Sequence, residues 1–153
     1  MEPIIPPVDR ELLRAELTPE RKARDTKKAG NEIYIFPASE CPALMREIGR
    51  LREIAFRGAG GGTGRGGGDR GWPRHPRLGV WDPAAGEIVG GYRFIICTDE
   101  YPRHLSTEHY FRFSDKFRRR YLPRTIELGR SFVQPSYQAR GNAKSIYALD
   151  NLW

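Results

Sequence analysis

Cysteine is nearly absent from this sequence: Cys41 and Cys97 are the only two among 153 residues. Two thiols that far apart make neither a disulfide framework nor the paired spacing of a zinc site, so both are read as reduced. Histidine is almost as scarce, with three. His104 and His109 stand five apart, off the i, i+4 step that would put two ligands on one helix face. No metal centre is expected. No apolar run approaches the ~18 residues that a membrane-spanning helix needs. The opening MEPIIPPVDRELL carries Glu2 and is broken by Pro3, Pro6 and Pro7, which is not the order of a signal peptide. A cytoplasmic chain is expected. Acidic residues are in deficit, 19 against 26 Lys plus Arg, for a net charge of +7. Such a surface favours acidic partners: nucleic acid, anionic lipid head groups or an acidic carrier protein.

What is present is enough for one ordinary domain with a real core. Residues 1–29 are polar, with a basic cluster in PERKARDTKK, and read as a basic N-terminal arm, irregular or with a short helix. NEIYIFP is a short β-prone run stopped by Pro37. In ECPALMREIGRLREIAFR, Leu44, Ile48, Leu51, Ile54 and Ala55 recur at three- and four-residue steps, which predicts a helix capped by Ser39. Its charged side bears Arg46, Arg50, Arg52 and Arg57, read first as a solvated face. Residues 58–77, GAGGGTGRGGGDRGWPRHPR, support no regular element and are expected to be an irregular, mobile insert. LGVW and EIVGGYRFIICT form a hairpin about DPAAGE. FSDKFRRRYLP predicts a short helix capped by Ser114, TIELGRSFVQP a strand, and KSIYALDNLW the start of another helix. The order predicts a mixed α/β (α+β) layered domain.

The glycine-rich stretch is not a P-loop, because Gly64 is followed by Arg65 and Gly66 where Lys and Ser or Thr would be needed. As an Arg/Gly nucleic-acid segment it is better supported: residues 46–77 hold eight Arg against three acids. Only Trp72 supplies an aromatic platform there, and a flexible basic loop accounts for it equally. Ser131 lacks the G-x-S-x-G elbow of a hydrolase nucleophile.

TIELGRSFVQPSYQARGNAKSIYAL carries the most chemistry. Glu127 and Arg130 are an odd number of residues apart, so a regular strand would send them to opposite faces. A bulge at Gly129 would bring them to one face, as a polar spot on an apolar strand. An ordinary ion pair at a sheet rim is the alternative reading. After the strand, Gln138, Gly141 and Ala143 form Q-x-x-G-x-A ahead of a helix, where free N–H groups and the dipole would suit a phosphate.

That loop after a split strand is similar to the pyrophosphate loop of the GNAT acyltransferase fold, a mostly antiparallel mixed sheet flanked by helices. LREIAFR, GGGTG, VWDP..GEIVGGYR and IELGRSFVQPSYQ together resemble the acyltransferases related to acyl-homoserine-lactone synthases. The nearest branch is the ornithine- and glycine-lipid N-acyltransferases, often labelled hemolysin-like. The resemblance covers residues 30–153. It implies roles for Arg52 and Phe56 on the first long helix, Arg93 on the hairpin, and Glu127 with Arg130 as the catalytic pair, with Glu127 the candidate general base for the attacking amine, directly or through water. It also implies an acyl-CoA or acyl carrier protein thioester as donor, an amino-acid acceptor, no permanently bound cofactor and a peripheral membrane location. Gln138, Gly141 and Ala143 would hold the donor's phosphate, and Arg46, Arg50 and Arg57 would face the carrier protein. Two departures stand out. The family's acidic segment after GGGTG is replaced by RGGGDRGWPRHPR, with Asp69 its one acid. The chain also stops at LDNLW, so it is expected to be an N-terminal portion, truncated at the C-terminus and weakly active or inactive. A basic module that binds RNA or anionic lipid without catalysis is the competing expectation.

Overall fold

The computed structural model of the chain describes residues 1–67, 75–98, 105–138 and 143–153. The elements run α1 (Arg10–Glu16), β1 (Lys22–Asp25), β2 (Glu32–Pro37), α2 (Pro42–Gly58), β3 (Pro76–Asp82) and β4 (Glu87–Cys97). Then follow α3 (Asp115–Arg120), β5 (Thr125–Val133) and α4 (Ala143–Ile146). The five strands form one sheet in the order β1-β2-β3-β4-β5. Every pairing is antiparallel. The α/β layering expected from the element order is observed, and the sheet, mostly antiparallel by the resemblance, is antiparallel at every described pairing.

Alternation along the strands gives the sheet two apolar faces. One packs against α2, where Phe36, Leu44, Ile48, Leu51, Trp81, Ile88 and Phe132 form the main core. The other collects Ile33, Val80, Val89 and Tyr137 with Ala148 and Leu152 from the chain's last residues. A third cluster, Ile95, Cys97, Leu105 and Leu122, sits at the far end of β4 under Phe113 and Phe117.

The amino-terminal residues are more than an arm. Leu13 of α1 is 2% exposed in the main core, and β1 is an edge strand paired with β2. Helix α2 starts at Pro42, after Ser39, and has no side-chain cap of its own. Its first N–H groups are instead taken by Glu16 at the end of α1, which accepts from Ala43 at 2.9 Å and Leu44 at 2.8 Å. A carboxylate there satisfies orphan donors and meets the positive end of the helix dipole.

The charged side of α2 is also not simply solvated. Glu47 and Glu53 are buried, with Arg50 paired to Glu47 at 2.6 Å and Arg57 to Glu53 at 2.8 Å. Arg46 is exposed, as expected. The Glu53 carboxylate also accepts from the Thr63 N–H and hydroxyl and from the Gly64 N–H. Burial would raise its pKa, but these donors together bring it from 4.5 to about 2. Residues 2–5 lie against the same loop, through Glu2 N–H to Gly64 O at 2.8 Å and Ile5 N–H to Gly66 O at 3.1 Å. The expected irregular stretch is shorter than 58–77, since Gly58 belongs to α2 and Pro76 and Arg77 open β3; residues 60–66 have no regular structure but are tied on both sides. Asp69, Trp72 and Pro73 lie outside the described residues.

The hairpin expected about DPAAGE forms as β3–β4, with Asp82 Oδ1 accepting from the Ala84 and Ala85 N–H groups. Ser114 caps α3 through Phe117 N–H at 3.2 Å. Strand β5 pairs with β4, but among the described residues it is the sheet's edge and not a central strand.

Candidate active site

Strand register lines up three positions on the α2 side of the sheet: Arg77 faces Arg93, and Arg93 faces Gly129. Arg93 is 2% exposed. A side chain of that length can lie flat across β5 only where the neighbour is small. A Cβ on Gly129 would stand 3.3 Å from Arg93 Nη2. The glycine of IELGR thus makes room for a guanidinium.

From there Arg93 Nη2 donates to Ser106 Oγ at 2.7 Å and to Glu127 Oε1 at 3.4 Å. Glu127 Oε1 also accepts from the Ser106 N–H at 3.0 Å. Its Oε2 accepts from the Thr107 N–H at 3.1 Å and the Thr107 hydroxyl at 2.7 Å. Both oxygens are filled. Burial pushes the carboxyl pKa up, but the Thr107 hydroxyl and N–H, the Ser106 N–H and the Arg93 charge outweigh it and hold it below its ordinary value. A base works best with a pKa near the working pH and a free lone pair. This environment does not favour the general-base role expected for Glu127. It makes Glu127 the anchor that fixes the 106–109 turn and Arg93 over the sheet.

The expected bulge is present, one residue later than expected. Gly91 pairs with Phe132 and Arg93 with Gly129, so Arg130 and Ser131 together oppose Tyr92. Arg130 itself carries the strain, at φ +58°, while Gly129 is outside the left-handed region. On β4, Gly90 allows the close approach this needs, since a Cβ there would strike the Phe132 carbonyl. The slip leaves the backbone groups of Arg130 and Ser131 out of the regular ladder.

Arg130 and Arg93 line one narrow cavity together with Arg77, Arg52, Tyr92 and Phe132. Burial, then the charges of Arg93 and Arg77, lower the pKa of nearby His75. Arg52 reaches the cavity from α2 and rests 4.5 Å over the Phe56 ring, a cation–π contact that aims it. So Arg52, Arg93, Glu127 and Arg130 converge, and Phe56 supports Arg52 from behind.

Of the phosphate-loop residues, Gln138 does not join them. Gln138 is exposed beyond the end of β5, and its amide bonds back to the Val133 carbonyl. Gly141 lies outside the described residues. Ala143 opens α4, a helix of only 4 residues. Sequence reasoning missed Arg77, Ser106, Thr107 and Glu53. A charged residue at an inward position of LGVW's strand could have flagged Arg77, whereas Ser106 and Thr107 carry no local signal.

Among the described residues, no group of three His, Cys, Asp or Glu side chains could hold a metal ion. No helix among them is long and apolar enough to cross a membrane.

Residues 51–148 match the family described as acetyltransferase (GNAT) domain. A glycine N(alpha)-acyltransferase of Bacteroides thetaiotaomicron is 53% identical over 163 aligned residues, spanning 100% of this chain and 48% of that protein. A second, from Phocaeicola vulgatus, is 47% identical over the same length, spanning 100% of this chain and 50% of that protein. The chain thus spans about half the length of the curated relatives it matches. No solved structure matches it significantly. The matched residues take in the end of α2 from Leu51, the hairpin and the bulged strand beside the arginine-lined cavity, and the chain belongs to the acetyltransferase (GNAT) domain family.

Proposed function

We propose that this chain carries the acyl-transfer site of an N-acyltransferase that joins an acyl group from a thioester to the amine of glycine. The observation that carries the reading is the bulge at Arg130 on an edge strand, directly beside the buried Arg93–Glu127 pair. The names of the two relatives supply the acceptor.

The neutral amine attacks the thioester carbonyl, forming the C–N bond. The C–S bond then breaks, and the thiolate leaves with a proton from the nitrogen. Charge gathers on the carbonyl oxygen in between, and a backbone N–H released by the bulge is placed to meet it. Guanidiniums suit the acceptor's carboxylate because they match it with paired donors. Arg52 and Arg130 take that role, and Arg93, locked by Glu127 and Ser106, keeps the floor of the cavity in place. Solvent relays that proton from nitrogen to sulfur, since Glu127 is saturated. Acyl-CoA and acyl carrier protein share the pantetheine thioester that the site would use, and an N-acyl amino acid is an aminolipid when the acyl chain is long. The location follows the donors, in the cytoplasm.

The experiment offers the purified chain acetyl, octanoyl and palmitoyl thioesters of coenzyme A and of acyl carrier protein, with isotopically labelled glycine. Mass spectrometry should detect N-acylglycine, formed slowly, and Arg93→Ala should reduce it by roughly 10²-fold or more, the scale for loss of a group that orders the transition state. Product formed at an unchanged rate by Arg93→Ala would remove the proposed site.

A further inference from the structure

Residues 110–124, YFRFSDKFRRRYLPR, hold six Lys and Arg against one acid, Asp115. Nothing in the acyl-transfer site uses them. The fold sorts them into two sets. Phe113 and Phe117 turn inward onto the cluster of Ile95, Cys97, Leu105 and Leu122. Outward stand Tyr110 at 82% exposure, Phe111 at 65% and Tyr121 at 52%. Arg112, Lys116, Arg119, Arg120 and Arg124 are exposed with them. Arg118 ties the two halves together, reaching Glu108 at 3.7 Å and the Phe113 carbonyl at 3.4 Å. The aromatic tip at 110–111 and the arginines of α3 therefore belong to one surface. Beside them lies an open depression of about 870 Å³, lined by Arg119, Arg120, Tyr121, Pro123, Arg124 and Thr125.

We propose that this surface docks on an anionic lipid bilayer, with Tyr110 and Phe111 entering the headgroup region and the arginines meeting lipid phosphates. The chemistry matches on both counts. Amphipathic aromatic rings settle at the membrane–water interface, and long cationic side chains bury their stems while keeping their charge at the phosphates. A cluster of exposed cations is drawn to the negative surface potential of anionic leaflets. An acidic protein or an RNA would answer the charge. Neither explains two adjacent aromatic side chains held out into water at the tip of a turn. The inference stands apart from acyl transfer, so vesicle binding without turnover would refute only the catalytic reading.

The test is co-sedimentation of the whole chain with vesicles of phosphatidylcholine alone or mixed with phosphatidylglycerol. Two double variants, Arg119→Glu with Arg120→Glu and Tyr110→Ser with Phe111→Ser, change exposed side chains only, and a thermal melt confirms their fold. The chain should bind only the anionic vesicles, and each double variant should weaken binding by roughly tenfold or more. No binding to the anionic vesicles overturns the proposal. So does full binding by the Tyr110/Phe111 variant, which would mean simple charge adsorption. Displacement from vesicles by a modest excess of RNA or acyl carrier protein would assign the surface to that partner instead.

Discussion

Glu53→Gln is the most informative perturbation of the fold near the site. The carboxylate is 0% exposed and serves four donors: Arg57 Nε, the Thr63 N–H and hydroxyl, and the Gly64 N–H. Glutamine keeps the volume but offers a single oxygen, so its NH₂ group must face donors on one side. A buried donor left without an acceptor costs about 1–3 kcal/mol. With two such donors stranded, the loss is on the order of 3 kcal/mol, a large part of the ~5–15 kcal/mol that holds a domain together. For a chain of this size that corresponds to a fall in Tm of roughly 6–12 °C. The pH dependence follows from the depressed pKa. The unfolded carboxyl takes up its proton near 4.5, while the folded one resists to about 2. The stability it supplies is therefore complete above pH 4.5 and is lost as pH falls toward 2. The variant should lack that part of the acid loss. Circular dichroism melts at pH 7 and pH 3, with trypsin cleavage after Arg65 as a local probe, follow all three effects. A Tm unchanged within about 2 °C, with Arg65 no more readily cut, would refute the view that Glu53 ties the glycine-rich loop to α2.

Arg130→Gly relieves the left-handed backbone at φ +58° and should raise stability by about 1 kcal/mol in urea unfolding. Turnover should fall in the same variant, because the guanidinium leaves the cavity; higher stability with unchanged turnover would detach Arg130 from the site. Glu127→Gln should lower Tm and reduce turnover, yet leave the pH dependence of the residual rate as in the parent chain. Disappearance of the acidic limb of that profile would make Glu127 the base after all. Glu16→Ala strips the acceptor from the Ala43 and Leu44 N–H groups and should cost about 1–2 kcal/mol by the same unfolding assay, as loss of a helix cap does. An unchanged urea midpoint would mean that water replaces Glu16 without penalty.

Local patterns were legible where the physics is local. The period of Leu44, Ile48 and Leu51 marked α2, the Asp-Pro start and Gly86 marked the β3–β4 turn, and Ser114 marked α3. The polar spot on β5 was legible too, from two charges around a glycine. What escaped depends on contacts distant in sequence. Glu16 caps α2 from 27 residues away, and Glu2 meets Gly66 across 64 residues. The bulge fell on Arg130 because Gly129 was needed as a flat surface for Arg93, a demand set by another strand. Glu127 was expected to be a base because the acyltransferase resemblance put it, paired with Arg130, in the reacting position. Only the fold brings Ser106 and Thr107 onto its oxygens.

The central claim is that the bulged strand and its arginines transfer an acyl group to glycine. Labelled glycine turnover with a matched set of acyl thioesters, run on the parent chain and on Arg52→Ala beside it, tests this most directly. The parent chain should form N-acylglycine, and Arg52→Ala should raise the KM for glycine far more than that for the thioester, as loss of a carboxylate contact does. A folded parent chain that forms no N-acylglycine from any thioester, or an Arg52→Ala variant with an unaltered KM for glycine, would contradict it.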